Sequence, residues 1–236
     1  MSDPLRLDKC VAALASCSRN EAQQYIEGGW VSVEGVVTEE PQALVTPGQV
    51  TLAADAQLGE IEPATLLLHK PADVSVEAAI ALVTADTRSA IDTTGIRLLK
   101  RHLRRLNPLM PLEDGASGLL VLSQDGRVIR RLTEDANTIE QEFVVEVRGE
   151  LKPYGLDLLA DGMKYQQRML PPCKVSWQNE DRLRFAIKHV HPGQLHAMCA
   201  DVGLQVVSIR RLRIGSVPLG KMAVGEWRRL PASMRF

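Results

Sequence analysis

A mixed α+β fold in two domains is what this 236-residue sequence predicts, on three observations. Near the N-terminus, apolar residues recur at helical spacing and short alternating runs follow, the pattern of a helix pair and then a hairpin. Further on, the apolar runs Thr65-Leu66-Leu67-Leu68 and Leu119-Leu120-Val121-Leu122 do not alternate, so they belong inside a sheet rather than on a wet face. Charge is also unevenly shared. Residues 1–62 hold three basic groups against ten acidic ones, a balance of −7, and the remainder holds 25 against 19, a balance of +6. An acidic head on a basic body suggests two domains, with the body the better place for a polyanion.

The totals are those of globular material: 45% hydrophobic, 24% charged, formal net charge −1. No run is apolar for long enough to span a membrane, and Met1-Ser2-Asp3-Pro4 lacks the layout of a secretion signal. A cytoplasmic protein is therefore expected. Cys10, Cys17, Cys173 and Cys199 are not paired at metal-ligand spacing and read as reduced thiols. His189, His191 and His196 lie close together, but no cysteine or carboxylate cluster accompanies them at matching spacing, so no metal is expected.

In chain order, Asp3-Pro4 reads as an N-cap and first-turn proline ahead of a helix with Leu7, Val11 and Leu14 on one face. Ser18-Arg19-Asn20-Glu21 is a capping-box pattern opening a second helix, which Gly28-Gly29 stops. Trp30 to Val33 alternates as a strand, Glu34-Gly35 turns, and Val36-Val37-Thr38 returns; Val50-Thr51-Leu52 adds a further strand after the Pro47-Gly48 turn. Ala53 to Pro63 is a polar linker. Thr65 to Lys70 is a buried strand ending at Pro71, and Val76 to Val83 reads as a helix.

Arg97, Lys100, Arg101 and Arg104 fall at i, i+3, i+4 and i+7, a spacing that puts them on one helical face, with Arg105 beside them. The face is either merely solvated or a stripe that tracks phosphates, which Arg130 and Arg131 would extend. After it comes Leu112-Glu113-Asp114-Gly115-Ala116-Ser117-Gly118, then the buried run Leu119 to Ser123 and a turn at Asp125-Gly126. A carboxylate at the end of a buried strand has the rigid platform that acid/base or nucleophilic work requires, whereas an Asp- and Gly-rich solvated turn would serve no chemistry. Strands are expected at Glu142 to Glu146 and Leu183 to Lys188.

The stretch from Glu113 through Gly118-Leu119-Leu120 to Asp125-Gly126 resembles the active-site motif of RNA pseudouridine synthases of the RsuA-like branch. The closing Ile209-Arg210-Arg211-Leu212-Arg213-Ile214-Gly215, Leu219 and Gly225-Glu226-Trp227-Arg228-Arg229-Leu230 resembles that family's tail, with Ile214, Leu219 and Trp227 read as core. Residues 5–55 resemble the alpha-L RNA-binding domain, named after a small-subunit ribosomal protein, although Glu34, Glu39 and Glu40 crowd a hairpin that is usually basic. The resemblance implies a small N-terminal domain over 1–55, a linker over 56–64 and a catalytic domain over 65–236 with a long, largely antiparallel sheet flanked by helices.

It also implies a function: conversion of uridine to pseudouridine in structured RNA, ribosomal RNA above all, by a monomer without a cofactor. Glu113 stands at the catalytic aspartate position, with Asp114 as alternative carboxylate. Phe143 stands where a tyrosine is usual, and Gln141 where a lysine is. His196 replaces the arginine that pairs with the aspartate. Arg19, Lys70, Arg97, Lys100, Arg101, Arg104, Arg105 and Arg213 are the implied RNA contacts. The replacements at Glu113, Phe143 and His196 leave two readings: a synthase using Glu113, or an RNA-binding protein on a synthase scaffold that has lost catalysis.

Overall fold

The computed structural model describes residues 4–59, 62–188 and 190–236. It divides into two compact units, Met1–Pro63 with Arg97–Arg104, and Ala64–Ile96 with Arg105–Phe236.

In the first unit, α1 (Leu7–Leu14) and α2 (Arg19–Glu27) pack beside a three-stranded sheet of β1 (Val31–Val33), β2 (Val36–Val37) and β3 (Val50–Leu52), in the order β2-β1-β3. Leu7, Val11, Ile26 and Val31 are fully buried between them. The start of α1 differs from the expectation. Asp3 lies outside the described residues, and Leu5 and Arg6 are extended, paired with Leu44 and Val45. The first amides of α1 are satisfied from a distant loop instead of by a cap: Leu7 N–H donates to the Ala43 carbonyl and Asp8 N–H to that of Pro41. The capping box of α2 is present in full, with Ser18 Oγ accepting from Glu21 N–H and the Glu21 carboxylate accepting from Ser18 N–H.

The basic segment departs further from expectation. Arg97 to Arg104 forms no helical face; only a 3-10 turn, Lys100–Leu103, is regular. The segment belongs to the first unit, where tertiary partners replace the helical ladder. Arg97 donates to the Gly29 carbonyl (2.6 Å) and stacks over Trp30, 4.4 Å from the ring centre. Lys100 N–H donates to Glu39 (2.7 Å), and the side chains of Lys100 and Arg101 lie 3.6 Å from Glu40 and Glu27. The acidic groups of the N-terminal region are thus partly neutralised by a strap from farther along the chain.

The second unit is built on a nine-stranded mixed sheet. Its main strands are β4 (Thr65–Lys70), β5 (Ser117–Ser123), β6 (Glu140–Gly149), β7 (Lys174–Trp177), β8 (Arg182–Lys188), β9 (Leu204–Ile214) and β10 (Trp227–Arg229), in the order β7-β8-β6-β9-β5-β4-β10. Asn107–Leu109 pairs on β5, and Val217–Pro218 on β9. The β9–β5 pair is parallel and its neighbours antiparallel. The helices are α3 (Val76–Ile80, shorter than its apolar run suggests), α4 (Gly126–Glu134), α5 (Gly155–Asp161) and α6 (Gln194–Asp201). Alternate residues Phe143, Val145 and Val147 of β6 face a core shared with Leu183, Phe185 and Ile187 of β8 and with Leu195, Met198 and Cys199 of α6. Trp227 is fully buried, its indole N–H donating to the Thr84 carbonyl.

Candidate active site

Glu113 sits in the loop between Leu109 and β5. Buried Leu112 and Ala116 pin the loop on either side, and Ala116 N–H donates to the Glu113 carbonyl (3.1 Å) to close the turn. Gly115 takes the left-handed φ of +78° that this turn needs. Beyond it, Gly118 has φ +107°, and a Cβ there would lie 2.3 Å from the Arg211 carbonyl oxygen. Only glycine lets β5 come this close to β9.

Lys70 lies inside rather than on a surface that RNA can reach. It is fully buried, and its ammonium donates to the carbonyls of Pro71 and Ala116, 2.9 Å each. Burial pushes its pKa down, countered by the charges of Asp114 and Asp73. Its place corrects the expectation of an RNA contact: the strand runs through the core, so its terminal lysine holds the Glu113 loop instead.

The Glu113 carboxylate is held from the α6 side. One oxygen accepts from Gly193 N–H, the residue that precedes α6, and the other lies 3.2 Å from His196 Nδ1. Both contacts come from the N-terminal end of α6. The Glu113 side chain is 16% exposed and that of His196 51%. Asp114 is exposed on the outside of the same loop.

Beside this carboxylate opens a cavity of about 500 Å³, a size within the range of small-ligand sites. Glu113, Phe143, His191, Leu195, Gln141 and Arg211 contribute to its wall, and Leu132 and Thr133 bring the end of α4 to it. Glu113 and Phe143 therefore share one hollow. His196 touches Glu113 but does not line it. Phe143 is 3% exposed and offers a ring face without a proton to give. His189 lies outside the described residues.

Two polar residues of this wall went unassigned in the sequence, Gln141 and Arg211. Arg211 is fully enclosed: Nε donates to the Leu119 carbonyl (2.8 Å) and Nη1 to Gln141 Oε1 (2.9 Å). Its Nη2 has no hydrogen-bond partner among the described residues. Burial pushes its pKa down to about 9, which leaves the guanidinium charged at neutral pH.

Arg213, the expected RNA contact, faces the other way. A bulge in β9 sets both Leu212 and Arg213 against Glu142, so Arg211 shares the face of Phe143 while Arg213 joins that of Glu142. There it pairs with Glu140 (2.6 Å) and Glu142 (3.1 Å), and Glu142 is also bound by Arg184. Hydrogen bonding to Arg213 lowers the Glu140 pKa and in return raises that of Arg213. Arg213 is thus committed to an ion-pair ladder across the sheet. Arg19 is committed likewise, at 3.1 Å from the buried Asp8, which Arg6 also binds. Arg104 and Arg105 are exposed.

Residues 5–50 match the model of the S4 domain. The chain is 27% identical over 231 residues to the dual-specificity RNA pseudouridine synthase RluF of Escherichia coli K12, spanning 96% of this chain and 75% of that protein. It is 25% identical over 231 residues to the ribosomal large subunit pseudouridine synthase B of Bacillus subtilis, spanning 95% and 91%. A crystal structure of a pseudouridylate synthase superposes with a TM-score of 0.61 at 20% identity, covering 97% of each chain. Taken together, the S4 match, the likeness along the chain and the shared fold make this chain similar to RsuA-like pseudouridine synthases that carry an N-terminal S4 domain.

Proposed function

We propose that this protein is an RNA pseudouridine synthase that isomerises uridine in structured ribosomal RNA, with Glu113 as the working carboxylate. The observation that carries the reading is a carboxylate fixed at the edge of a nucleotide-sized cavity, with a phenyl ring and a buried guanidinium in the same wall. Two of the relatives named above are called pseudouridine synthases, one of RNA and one of the ribosomal large subunit. A uridine extruded from the RNA enters the cavity at a cost of a few kcal/mol of unstacking. Phe143 gives its base an apolar ring to lie against. Glu113 acts on the ribose or the base as the glycosidic bond breaks; the uracil then turns and rejoins the sugar through carbon 5. Residues 65–236 carry this chemistry, in a cytoplasmic monomer that uses no cofactor.

Phosphate contacts come from the outer face of α4, where Arg127 is 90% and Arg130 76% exposed, beside Asp125 and Glu134. Such pairs contribute about 0–1 kcal/mol and yield readily to a polyanion.

A second reading, an RNA-binding protein without turnover, is favoured by one observation. Phe143 has no proton to move at the place where the family keeps a tyrosine. Incubation with ribosomal and transfer RNA, followed by mass spectrometry of the nucleosides, separates the two. Pseudouridine formed by the natural protein and absent with Glu113→Ala supports the synthase. No product from either, with RNA still bound, overturns it in favour of the second reading.

A further inference from the structure

A buried cation with an open N–H next to an apolar-walled cavity requires a partner that the protein does not supply. Arg211 is 2% exposed, lines the cavity, and has no carboxylate within ion-pair distance among the described residues. Two of its donors are spoken for by Leu119 and Gln141, and Nη2 is left over. Leaving such a donor unpaired is costly, and Arg211 is part of the cavity wall. Gln141 completes the arrangement. An arginine can only donate, so the group it meets at 2.9 Å is the Gln141 amide oxygen. The amide NH₂ then remains as Gln141's other hydrogen-bonding group. Gln141, Phe143 and Arg211 stand on one face of adjacent strands, so a base lying against the Phe143 ring meets both polar side chains of this pair.

We infer that Gln141 and Arg211 form the base-reading pair of this cavity, two fixed donors that select a pyrimidine edge with two carbonyl oxygens, that of uracil, over one with an amino group, that of cytosine. The inference rests on the cavity being the uridine site proposed above. Uracil offers O2 and O4 to the two donors. Cytosine turns an amino donor toward one of them, and the mismatched pair strands a buried polar group. The buried Arg211–Gln141 bond keeps the two side chains in place before the base arrives.

The test uses fluorescein-labelled hexamers of uridylate and of cytidylate, titrated with the full-length protein and read by fluorescence anisotropy at one fixed salt concentration. The natural protein is expected to bind the uridylate about tenfold more tightly or better, the discrimination a good donor–acceptor match supplies. Gln141→Glu replaces the NH₂ with an acceptor while keeping Arg211 bonded, and is expected to abolish or invert the preference. Gln141→Leu, which removes the donor without adding charge, is expected to reduce it, and it covers the case in which the glutamate variant folds poorly. Equal binding of the two hexamers by the natural protein, no binding of either, or an unchanged preference in both folded variants overturns the inference. Binding is read without turnover. An inactive protein that still prefers uridylate therefore fails only the synthase reading, and an active protein without preference fails only this one.

Discussion

Gly118 and Arg211 meet backbone to backbone: a Cβ on Gly118 would sit 2.3 Å from the Arg211 carbonyl oxygen and 2.6 Å from its nitrogen. The contact lies where β5 and β9 run parallel, and it fixes at once the strand that follows the Glu113 loop and the arginine in the cavity wall. Gly118→Ala must therefore both strain a φ of +107° and push two central strands apart. The expected loss is about 3 kcal/mol or more, read from a denaturant melt. A variant as stable as the natural protein would show that the strands have room to separate.

His196 is a different kind of residue. Half its side chain is in water, so His196→Ala is expected to change stability by about 0.5 kcal/mol at most. Its Nδ1 lies 3.2 Å from Glu113, and removing it frees one carboxylate oxygen to wander. Under the synthase reading, turnover falls by up to about a hundredfold, as displacements near 1 Å do. Unchanged turnover would take His196 out of the site.

How far these features were legible in the sequence depended on how local their causes are. Ser18 and Glu21 are three residues apart, and their capping box forms as the pattern says. The apolar run Leu119 to Leu122 is central in its sheet, as lack of alternation implies. The strap was not legible, because what holds Arg97 and Lys100 lies 68 and 61 residues away. Helical spacing alone could not know of Gly29 and Glu39. Arg211 and Arg213 were indistinguishable by alternation, which puts both on one face; the bulge that separates them leaves no mark in composition. Gln141 did leave a mark. It continues the inward series Phe143, Val145, Val147, and a polar residue in such a series points to a site.

Two buried carboxylates set the acid response. Burial opposes the charge on Asp8, yet hydrogen bonds from Arg6, Arg19 and Gln23 prevail and hold its pKa at about 2, below the ordinary 3.8. Asp92 is also held at about 2, where Arg88, Thr94 and the Arg229 amide outweigh burial. A pKa depressed on folding means stabilisation that is whole above the unfolded value and lost as pH falls toward the folded one. Both units should therefore lose stability between about pH 4 and pH 2. Asp8→Asn should lower the melting temperature of the first unit at neutral pH and flatten its acid response, and Asp92→Asn should do so for the second. Melts of either variant that run parallel to the natural protein's down to pH 2 would refute the assignment.

Arg97 joins the strap to the first unit through one hydrogen bond and one stacked ring. Arg97→Ala should cost that unit about 1–2 kcal/mol, the sum of a modest hydrogen bond and a partly shielded cation–π contact. Arg101, 3.6 Å from Glu27 and half exposed, should cost less than about 1 kcal/mol when changed to alanine. Trp30 fluorescence during denaturation reports both, and the order of the two losses is the point of the comparison. If Arg101→Ala proved the more damaging, charge rather than the Trp30 stack would be holding the strap.

Phe143 offers the sharpest test of what the cavity still lacks. Its ring lines the same wall as Glu113, so Phe143→Tyr adds a hydroxyl to a site that already has a carboxylate, a guanidinium and an apolar bed. A placed proton-transfer group contributes about a hundredfold or more to such chemistry. In a working synthase the variant should form pseudouridine faster than the natural protein. In a silent one, Phe143→Tyr combined with Glu113→Asp and His196→Arg should restore turnover. The three residues act as a unit, so the triple variant is expected to exceed the product of the single effects. If neither the single nor the triple variant raises product above that of Glu113→Ala, the cavity holds a base without reacting with it, and the RNA-binding reading stands.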